Sequence, residues 1–89
     1  MSSRYQPELA LKEHLLEGNK ISQMEAKLLF GVQNPAMAIS RIKRDGFLIK
    51  KQRVSMAKII RRLNDFASYT PPKNLPLREL LVTEYWVSQ

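Results

Sequence analysis

Residues 21–46 have the sequence ISQMEAKLLFGVQNPAMAISRIKRDG, and their capping and stop signals predict two short helices joined by a tight turn. Ser22 and Glu25 have the spacing of a capping box, in which each side chain accepts a hydrogen bond from the backbone N–H of the other residue. Gly31 and Gly46 are placed to end the two helices, because glycine readily adopts the left-handed conformation that follows a helix. The segment is therefore predicted to be helical on both sides of a glycine-containing turn.

The second of these helices is predicted to begin at Asn34 and Pro35, because asparagine caps a helix N-terminus and proline suits the first helical position. The residues predicted to face inward are Ala36, Ile39 and Ile42. The residues predicted to face outward are Met37, Ala38, Arg41 and Arg44. Two short helices around a tight turn, the second of them basic on its outer side, are typical of a helix-turn-helix motif.

The flanking sequence predicts one helix before this motif and two strands after it. Residues 1–6 are expected to form a flexible N-terminal arm, and Pro7 is expected to open a helix with a leucine-rich apolar stripe. Apolar, β-branched and aromatic residues predict strands at about 47–51 and 80–87. Since neither strand has another evident partner, we expect the two to pair with each other.

Between the two strands, Ser55 predicts the N-cap of a basic helix at about residues 55–67. The residues of its predicted inward stripe are Met56, Ile59, Ile60, Leu63 and Phe66. The residues predicted to turn outward are Lys58, Arg61 and Arg62. The proline-rich residues 69–76 are not expected to be regular. The predicted architecture is a single α+β domain, mainly α, at residues 7–89.

The positive charge is concentrated in one part of the chain. The formal net charge is +7, and residues 41–62, here called the basic segment, hold nine basic side chains and one acidic side chain. The remaining residues are close to neutral, with six basic and seven acidic side chains. This concentration favours a polyanionic partner, because an electrostatic footprint on phosphates needs clustered cations.

Composition argues against several other classes of function. The absence of cysteine excludes disulfides and thiolate metal sites, and the single histidine, His14, has no evident titratable partner for catalysis. There is no glycine-rich phosphate loop and no paired acid and base, so no enzymatic activity, cofactor or metal is expected. No apolar run approaches the ~18 residues that span a bilayer, and the first residues do not resemble a signal peptide. We therefore expect a soluble cytoplasmic protein.

Residues 11–49 resemble the small winged helix-turn-helix domains common in bacteriophage genomes. Those domains share a leucine-rich first helix, the pattern Gly-x-x-Ile-Ser/Thr-x-x-Glu-Ala, an aromatic-Gly-Ile/Val step, and an Ile-x-x-Ile/Leu helix ending in Asp-Gly-aromatic-x-Ile. The matching residues are Gly18, Ile21, Ser22, Glu25, Ala26, Phe30, Gly31, Val32, Ile39, Ile42, Asp45, Gly46, Phe47 and Ile49. Pro35 and Ala38 depart from the pattern. The resemblance implies a winged helix-turn-helix fold with a two-stranded β wing, into which residues 55–79 are inserted.

The resemblance also implies binding of double-stranded DNA, with the second helix of the motif in the major groove. Amide and guanidinium groups can hydrogen-bond to purine edges, and a methionine can pack on a thymine methyl. Cations outside this helix are expected to contact phosphates or the minor groove. The candidates on or beside the helix are Gln33, Asn34, Met37, Ser40, Arg41 and Arg44. The other candidates are Lys50, Lys51 and Arg53, expected near the tip of the wing, and Lys58, Arg61 and Arg62.

These features favour a small phage transcriptional regulator in the bacterial cytoplasm or nucleoid, and a homodimer on a palindromic site is expected to increase its affinity. One alternative is a phage-encoded adaptor or inhibitor that uses the same fold to bind a host protein, since a basic face can also contact an acidic protein surface. A protein-binding surface, or one that pairs two copies, could also be formed by Tyr69, Tyr85, Trp86 and the segment 71–72. Packing of these aromatic residues inside so small a domain is favoured over that alternative. Binding of the basic helix to a membrane surface is disfavoured, because its apolar stripe is better explained by packing.

Overall fold

The computed structural model describes residues 4–88, which form four helices and one three-stranded antiparallel sheet. The elements in chain order are α1 (Pro7–Leu16), β1 (Ile21–Ser22), α2 (Gln23–Phe30), α3 (Pro35–Arg44), β2 (Ile49–Ser55), α4 (Met56–Leu63) and β3 (Leu81–Val87). The predicted α+β class is confirmed. Residues 1–3 of the predicted N-terminal arm lie outside the described residues, and within its remainder the Tyr5 hydroxyl donates to the Phe30 carbonyl at 2.8 Å.

The local signals of the helix pair are present as predicted. The Ser22 N–H donates to Glu25 Oε1 at 2.9 Å, and the Glu25 N–H donates to Ser22 Oγ at 3.3 Å, which completes the capping box. Gly31 ends α2 with a φ of 74°, a left-handed conformation that costs a residue with a Cβ about 1 kcal/mol or more. Asn34 caps α3 by accepting from the Met37 N–H at 3.2 Å. Short-range interactions and the Gly31 stop therefore set both ends of α2 and the start of α3.

The buried face of α3 differs from the predicted one. The residues of α3 that are buried are Pro35, Ala38, Ile39 and Ile42. Ala36 is exposed and Ala38 is only 2% exposed, so the predicted orientation of both alanines is wrong. The four buried residues have i, i+3, i+4 and i+7 spacing, which is typical of a helix that packs one face on a core. The predicted inward residues, Ala36, Ile39 and Ile42, have i, i+3 and i+6 spacing and do not follow this pattern.

One apolar core joins α1, α2 and α3 to one end of the sheet. Its buried residues are Leu11, Leu15, Ile21, Ala26, Val32, Ala38, Ile42 and Val87. Phe47 and Ile49, partly buried, pack against this cluster. Because Ile49 lies opposite Val87 in the sheet, the pairing of β2 with β3 begins at the core and continues away from it.

The sheet has the order β1–β3–β2, with β2 at one edge. β2 and β3 pair from Ile49 opposite Val87 to Ser55 opposite Leu81, which confirms the predicted partnership. The first wing strand, however, spans 49–55 and not 47–51, because β3 is long enough to pair with every residue as far as Ser55. The predicted two-stranded sheet also gains a third strand, since the two residues of β1 pair with β3.

The helix between the wing strands is shorter than predicted. α4 follows β2 directly, with Ser55 Oγ accepting from the Lys58 N–H at 3.4 Å, and it ends at Leu63. Ile59 and Leu63 are fully buried as expected. Phe66, predicted to continue the inward stripe, lies beyond the helix and is 70% exposed.

Candidate nucleic-acid interface

The outer side of α3 carries a stripe of three exposed residues, Met37, Arg41 and Arg44, at i, i+4 and i+7. We call this stripe the recognition face. Its buried counterpart is held by the core, so the helix presents this face to solvent at a fixed rotation. Ser40, another predicted contact, is also exposed on α3, one residue from the stripe.

Arg41 is held in place by two neighbours. Its Nη1 donates to both carboxylate oxygens of Glu8 on α1, at 2.6 Å to Oε1, and its Nη2 lies 3.2 Å from Met37 Sδ. The Glu8 hydrogen bonds and charge raise the pKa of Arg41 above its ordinary value. About half of each side chain of the Glu8–Arg41 pair is exposed, at 47% and 50%. The pair therefore lies at the surface, where a DNA groove could reach it.

The turn between α2 and α3 borders the same region. Gln33 and Asn34 are exposed, and together with Met37 and Arg41 they line a shallow surface depression that Glu8 also borders. The structure thus brings together five of the six predicted residues on or beside α3 along one surface, with Ser40 adjacent to them.

The cations of β2 divide between the two faces of the sheet. Paired residues on neighbouring strands project to the same face, and successive residues alternate. Lys51 lies opposite Tyr85, on the face whose core end is formed by Ile49 and Val87; we call it the helix-side face. Arg53 shares this face. Lys50 and Gln52 project to the opposite face.

α4 covers that opposite face, here called the α4-side face. Gln52 donates through Nε2 to Glu84 Oε2, and Arg62 from α4 donates to Glu84 Oε1 at 3.0 Å. The structure places three predicted contacts, Lys50, Lys51 and Arg53, within β2. They were expected near the tip of the wing, but β2 runs directly into α4 and not into a hairpin turn. Position along the chain therefore does not place these three cations on one surface.

Arg62 points inward, so its predicted outward orientation is wrong. Its Nε and Nη2 donate to Glu25 at 2.8 and 2.6 Å, in addition to the contact with Glu84. The two glutamate side chains are 2% and 0% exposed. We call Arg62, Glu25, Glu84 and Gln52 the Arg62 cluster. The cluster links α4, α2 and the sheet. Without Arg62, Glu25 would be buried without a counter-charge from the described part of the chain, and Glu84 would keep only the more distant Lys58.

The remaining α4 cations lie at its surface. Lys58 is exposed and its Nζ is 3.8 Å from Glu84 Oε2, at the margin of the Arg62 cluster. Arg61 is exposed on the outer side of α4. The pKa of Arg62 is raised, first by its hydrogen bonds to Glu25 and then by those to Glu84, which together outweigh the effect of burial. Burial lowers the pKa of the half-buried His14, whose ring packs 5.0 Å from that of Phe30.

Within residues 4–88, no three histidine, aspartate or glutamate side chains are grouped as metal ligands. The longest helices in the same range, α1 and α3, have ten residues each, and none of the described helices could cross a bilayer.

A winged helix-turn-helix has this order of helices, a sheet such as β1–β3–β2 and an exposed second helix in its motif. A family model described as a winged helix-turn-helix domain matches residues 9–70. The chain belongs to this family. No curated protein and no solved structure matches it. The matched range extends through α4, so the winged helix-turn-helix match includes the helix that the bacteriophage resemblance treated as an insertion.

The winged helix-turn-helix is a DNA-binding fold, in which the second helix of the motif enters the major groove. In this domain the predicted residues around α3 share one surface, Lys51 and Arg53 lie on the helix-side face, and Lys50 lies on the other. Sequence reasoning did not single out Glu8 as part of the site. Glu8 and Arg41 are 33 residues apart, and no local pattern signals that they meet.

Proposed function

We propose that this winged helix-turn-helix domain binds double-stranded DNA without catalysing a reaction and acts as a small transcriptional regulator. The resemblance to bacteriophage domains supports a phage gene, which would place the protein in the cytoplasm or nucleoid of a bacterial host. The recognition face is the observation that carries the proposal. Met37, Arg41 and Arg44 project from one side of α3, opposite the stripe that the core holds.

Base recognition is assigned to the outer side of α3 and the turn that precedes it. Arg41 and Arg44 are suited to guanine O6 and N7, and the amides of Gln33 and Asn34 to adenine N6 and N7. Met37, 47% exposed, offers an apolar contact for a thymine methyl, and the Ser40 hydroxyl can bond to either purine or pyrimidine edges.

Phosphate contacts are assigned to the exposed cations outside α3. Lys51 and Arg53 are the first candidates, because they lie on the helix-side face of the sheet, which packs on the helices of the motif. Lys50, Lys58 and Arg61 lie toward the α4 side and are assigned to phosphates further along the duplex. Arg62 is not included, since its guanidinium is bonded to Glu25 and Glu84.

A mobility-shift assay on random-sequence duplexes at low salt tests the proposal. We expect retention of duplex, with log K falling by about 0.9 per phosphate contact for each unit of log salt. On duplexes selected from that pool by the wild-type chain, the double substitution Arg41→Ala and Arg44→Ala should weaken binding at least tenfold, in line with the ~1–3 kcal/mol of discrimination expected for each guanine contact.

The matched control is the double substitution Lys73→Ala and Arg78→Ala. It removes two exposed cations from the loop between α4 and β3 and changes the net charge equally. We expect it to weaken binding much less. Absence of any retained duplex for the wild type, or equal loss in the two double variants, would contradict DNA binding through α3.

A homodimer is part of the proposal, because one domain of this size covers a limited DNA surface and two would match a palindromic site. Light scattering at micromolar concentration, with and without duplex, measures this directly. A monomeric mass together with one protein per duplex would exclude the dimer and leave the DNA proposal standing.

The second candidate is an adaptor or inhibitor that binds a host protein. It is favoured by an apolar depression lined by His14, Leu29, Phe30 and Phe66, with Phe66 itself 70% exposed. This surface involves α2 and the end of α4 and not the recognition face. Phe66→Ser should abolish such binding and leave any DNA binding unchanged, so the same variant separates the two functions.

A further inference from the structure

Two ion pairs join α1 to α3, one turn apart on both helices. Glu8 pairs with Arg41, and Lys12 pairs with Asp45 at 3.0 Å. The positions advance by four residues on each helix, so the pairs occupy equivalent places along the same helix–helix contact. Only the first pair includes a member of the recognition face.

The first pair also differs in its chemistry. Both Glu8 oxygens bind Arg41 Nη1, and within residues 4–88 the opposite edge of the guanidinium, Nε and Nη2, has Met37 Sδ as its protein acceptor. A thioether is a weak acceptor, so this edge remains available to a stronger one. An arginine presents two parallel N–H groups along such an edge, the geometry that guanine O6 and N7 require.

We infer that Glu8 is a specificity-determining residue, which positions Arg41 so that its free edge selects a guanine in the bound DNA. The inference rests on the proposed function, because it assigns a role within the same DNA site. Glu8 acts in two opposite ways. Its negative charge repels phosphates and weakens binding to every sequence, while the orientation it imposes on Arg41 favours the sequence with guanine at the matching position.

The experiment uses duplexes selected from a random pool by the wild-type chain. The affinity for the selected duplex is compared with that for the same duplex with the G·C pair changed to A·T, tested at each position in turn. Wild type should show about tenfold discrimination at the position that Arg41 contacts, the range expected of a bidentate arginine–guanine pair.

Glu8→Gln should bind non-selected DNA more tightly than wild type and should lose most of the discrimination at that single position. Asp45→Asn is the matched control, because it removes the carboxylate of the equivalent α1–α3 ion pair and changes the net charge by the same amount. It should retain the discrimination. In an Arg41→Ala background, Glu8→Gln should have no further effect on discrimination.

Glu8→Gln with unchanged discrimination at every position would overturn the inference, as would equal losses in Glu8→Gln and Asp45→Asn, which would indicate a merely structural α1–α3 contact. These outcomes are distinct from failure of the proposed function, in which wild type itself selects no duplex. Thermal unfolding of both variants checks that each is folded before binding is measured.

Discussion

Arg41 and Arg62 belong to the same basic segment and both bind glutamates, but they lie in contrasting parts of the molecule. The Glu8–Arg41 pair is about half exposed and joins two helices at the recognition face. Arg62 is mostly buried, and its glutamate partners are almost completely so. Exposed pairs contribute little to stability, whereas a buried charge is costly as soon as its partner is removed.

These two arginines of the basic segment therefore have different roles. Arg41 can contact DNA at small cost while it keeps Glu8, because within residues 4–88 the guanidinium edge away from Glu8 has only a thioether acceptor and because water and salt already screen the pair. Arg62 cannot, since among the described residues its departure would leave Glu25 buried without a counter-charge and Glu84 with only the more distant Lys58. The Arg62 cluster therefore holds α4 on the sheet, and the recognition face keeps its arginines available.

The largest expected effect comes from Arg62→Met. This substitution retains much of the side-chain volume but leaves the buried Glu25 carboxylate without a counter-charge and Glu84 with only the more distant Lys58 of the described cations, so we expect the free energy of unfolding to fall by about 3 kcal/mol. Urea unfolding followed by circular dichroism measures the change. Arg61→Met, one residue earlier on the exposed side of α4, is the control and should have little effect. A loss below about 1 kcal/mol for Arg62→Met would mean that the cluster is not stabilising.

Acid should weaken the same cluster. Burial of Glu84 acts to raise its pKa, but the hydrogen bonds from Gln52 and Arg62, together with the charges of Arg62 and Lys58, outweigh burial and hold the pKa below its ordinary value of 4.5. Because the folded-state pKa is lowered, the contribution of Glu84 to stability is complete above about pH 4.5 and is lost as the pH falls through the folded-state value.

Urea midpoints measured from pH 7 down to pH 3 should therefore fall most steeply at the acidic end of that range. Glu84→Gln should flatten this dependence, whereas Glu79→Gln, which changes an exposed carboxyl, should leave it unaltered. Identical acid profiles for wild type and Glu84→Gln would show that Glu84 titrates alike in the folded and unfolded states.

A smaller loss is expected from Ser22→Ala. The serine caps α2, and its hydroxyl donates to Glu25 Oε1 at 3.0 Å while accepting from the Glu25 N–H. Removing a cap of this kind costs about 1 kcal/mol. Comparison with Ser22→Thr, which keeps the hydroxyl, distinguishes loss of the cap from loss of packing. Equal destabilisation in both variants would assign the effect to packing.

The smallest effect on stability is expected from Arg41→Ala, which should leave the thermal midpoint unchanged within error because the Glu8 pair is exposed. The same variant should lose affinity for the selected duplex by about tenfold. A clear fall in thermal stability would show that the Glu8–Arg41 pair and the Arg62 cluster play similar structural parts, which would remove the contrast between them.

The helix-turn-helix could be predicted because its signals are local. The capping box of Ser22 and Glu25, the stop at Gly31 and the cap at Asn34 each act through backbone groups a few residues away. The predicted bounds of α2 and the predicted start of α3 are therefore correct. The predicted pairing of the two wing strands is also correct, since neither had another evident partner in the sequence. β1 was missed because two residues are too few to show a strand pattern.

Errors arose where a residue suits both core and surface. Ala36 and Ala38 carry too little apolar area to indicate which of them is buried. Arg62 was assigned to the surface because an isolated arginine is costly to bury, and neither of its partners is near in sequence. The residues of the proposed DNA surface are predicted from chain position and residue type, and their contacts with DNA stay predictions.

Short-range pattern in this sequence is sufficient for both ends of α2, the start of α3, the turn between them and the concentration of charge, because caps, glycine stops and side-chain periodicity act within a few residues. The partners of each charge required the folded chain. Glu8 reaches Arg41 across 33 residues, Arg62 reaches Glu25 across 37, and β2 sends its cations to opposite faces. Such pairings depend on how helices and strands pack, because burial and counter-charge are properties of the assembled core.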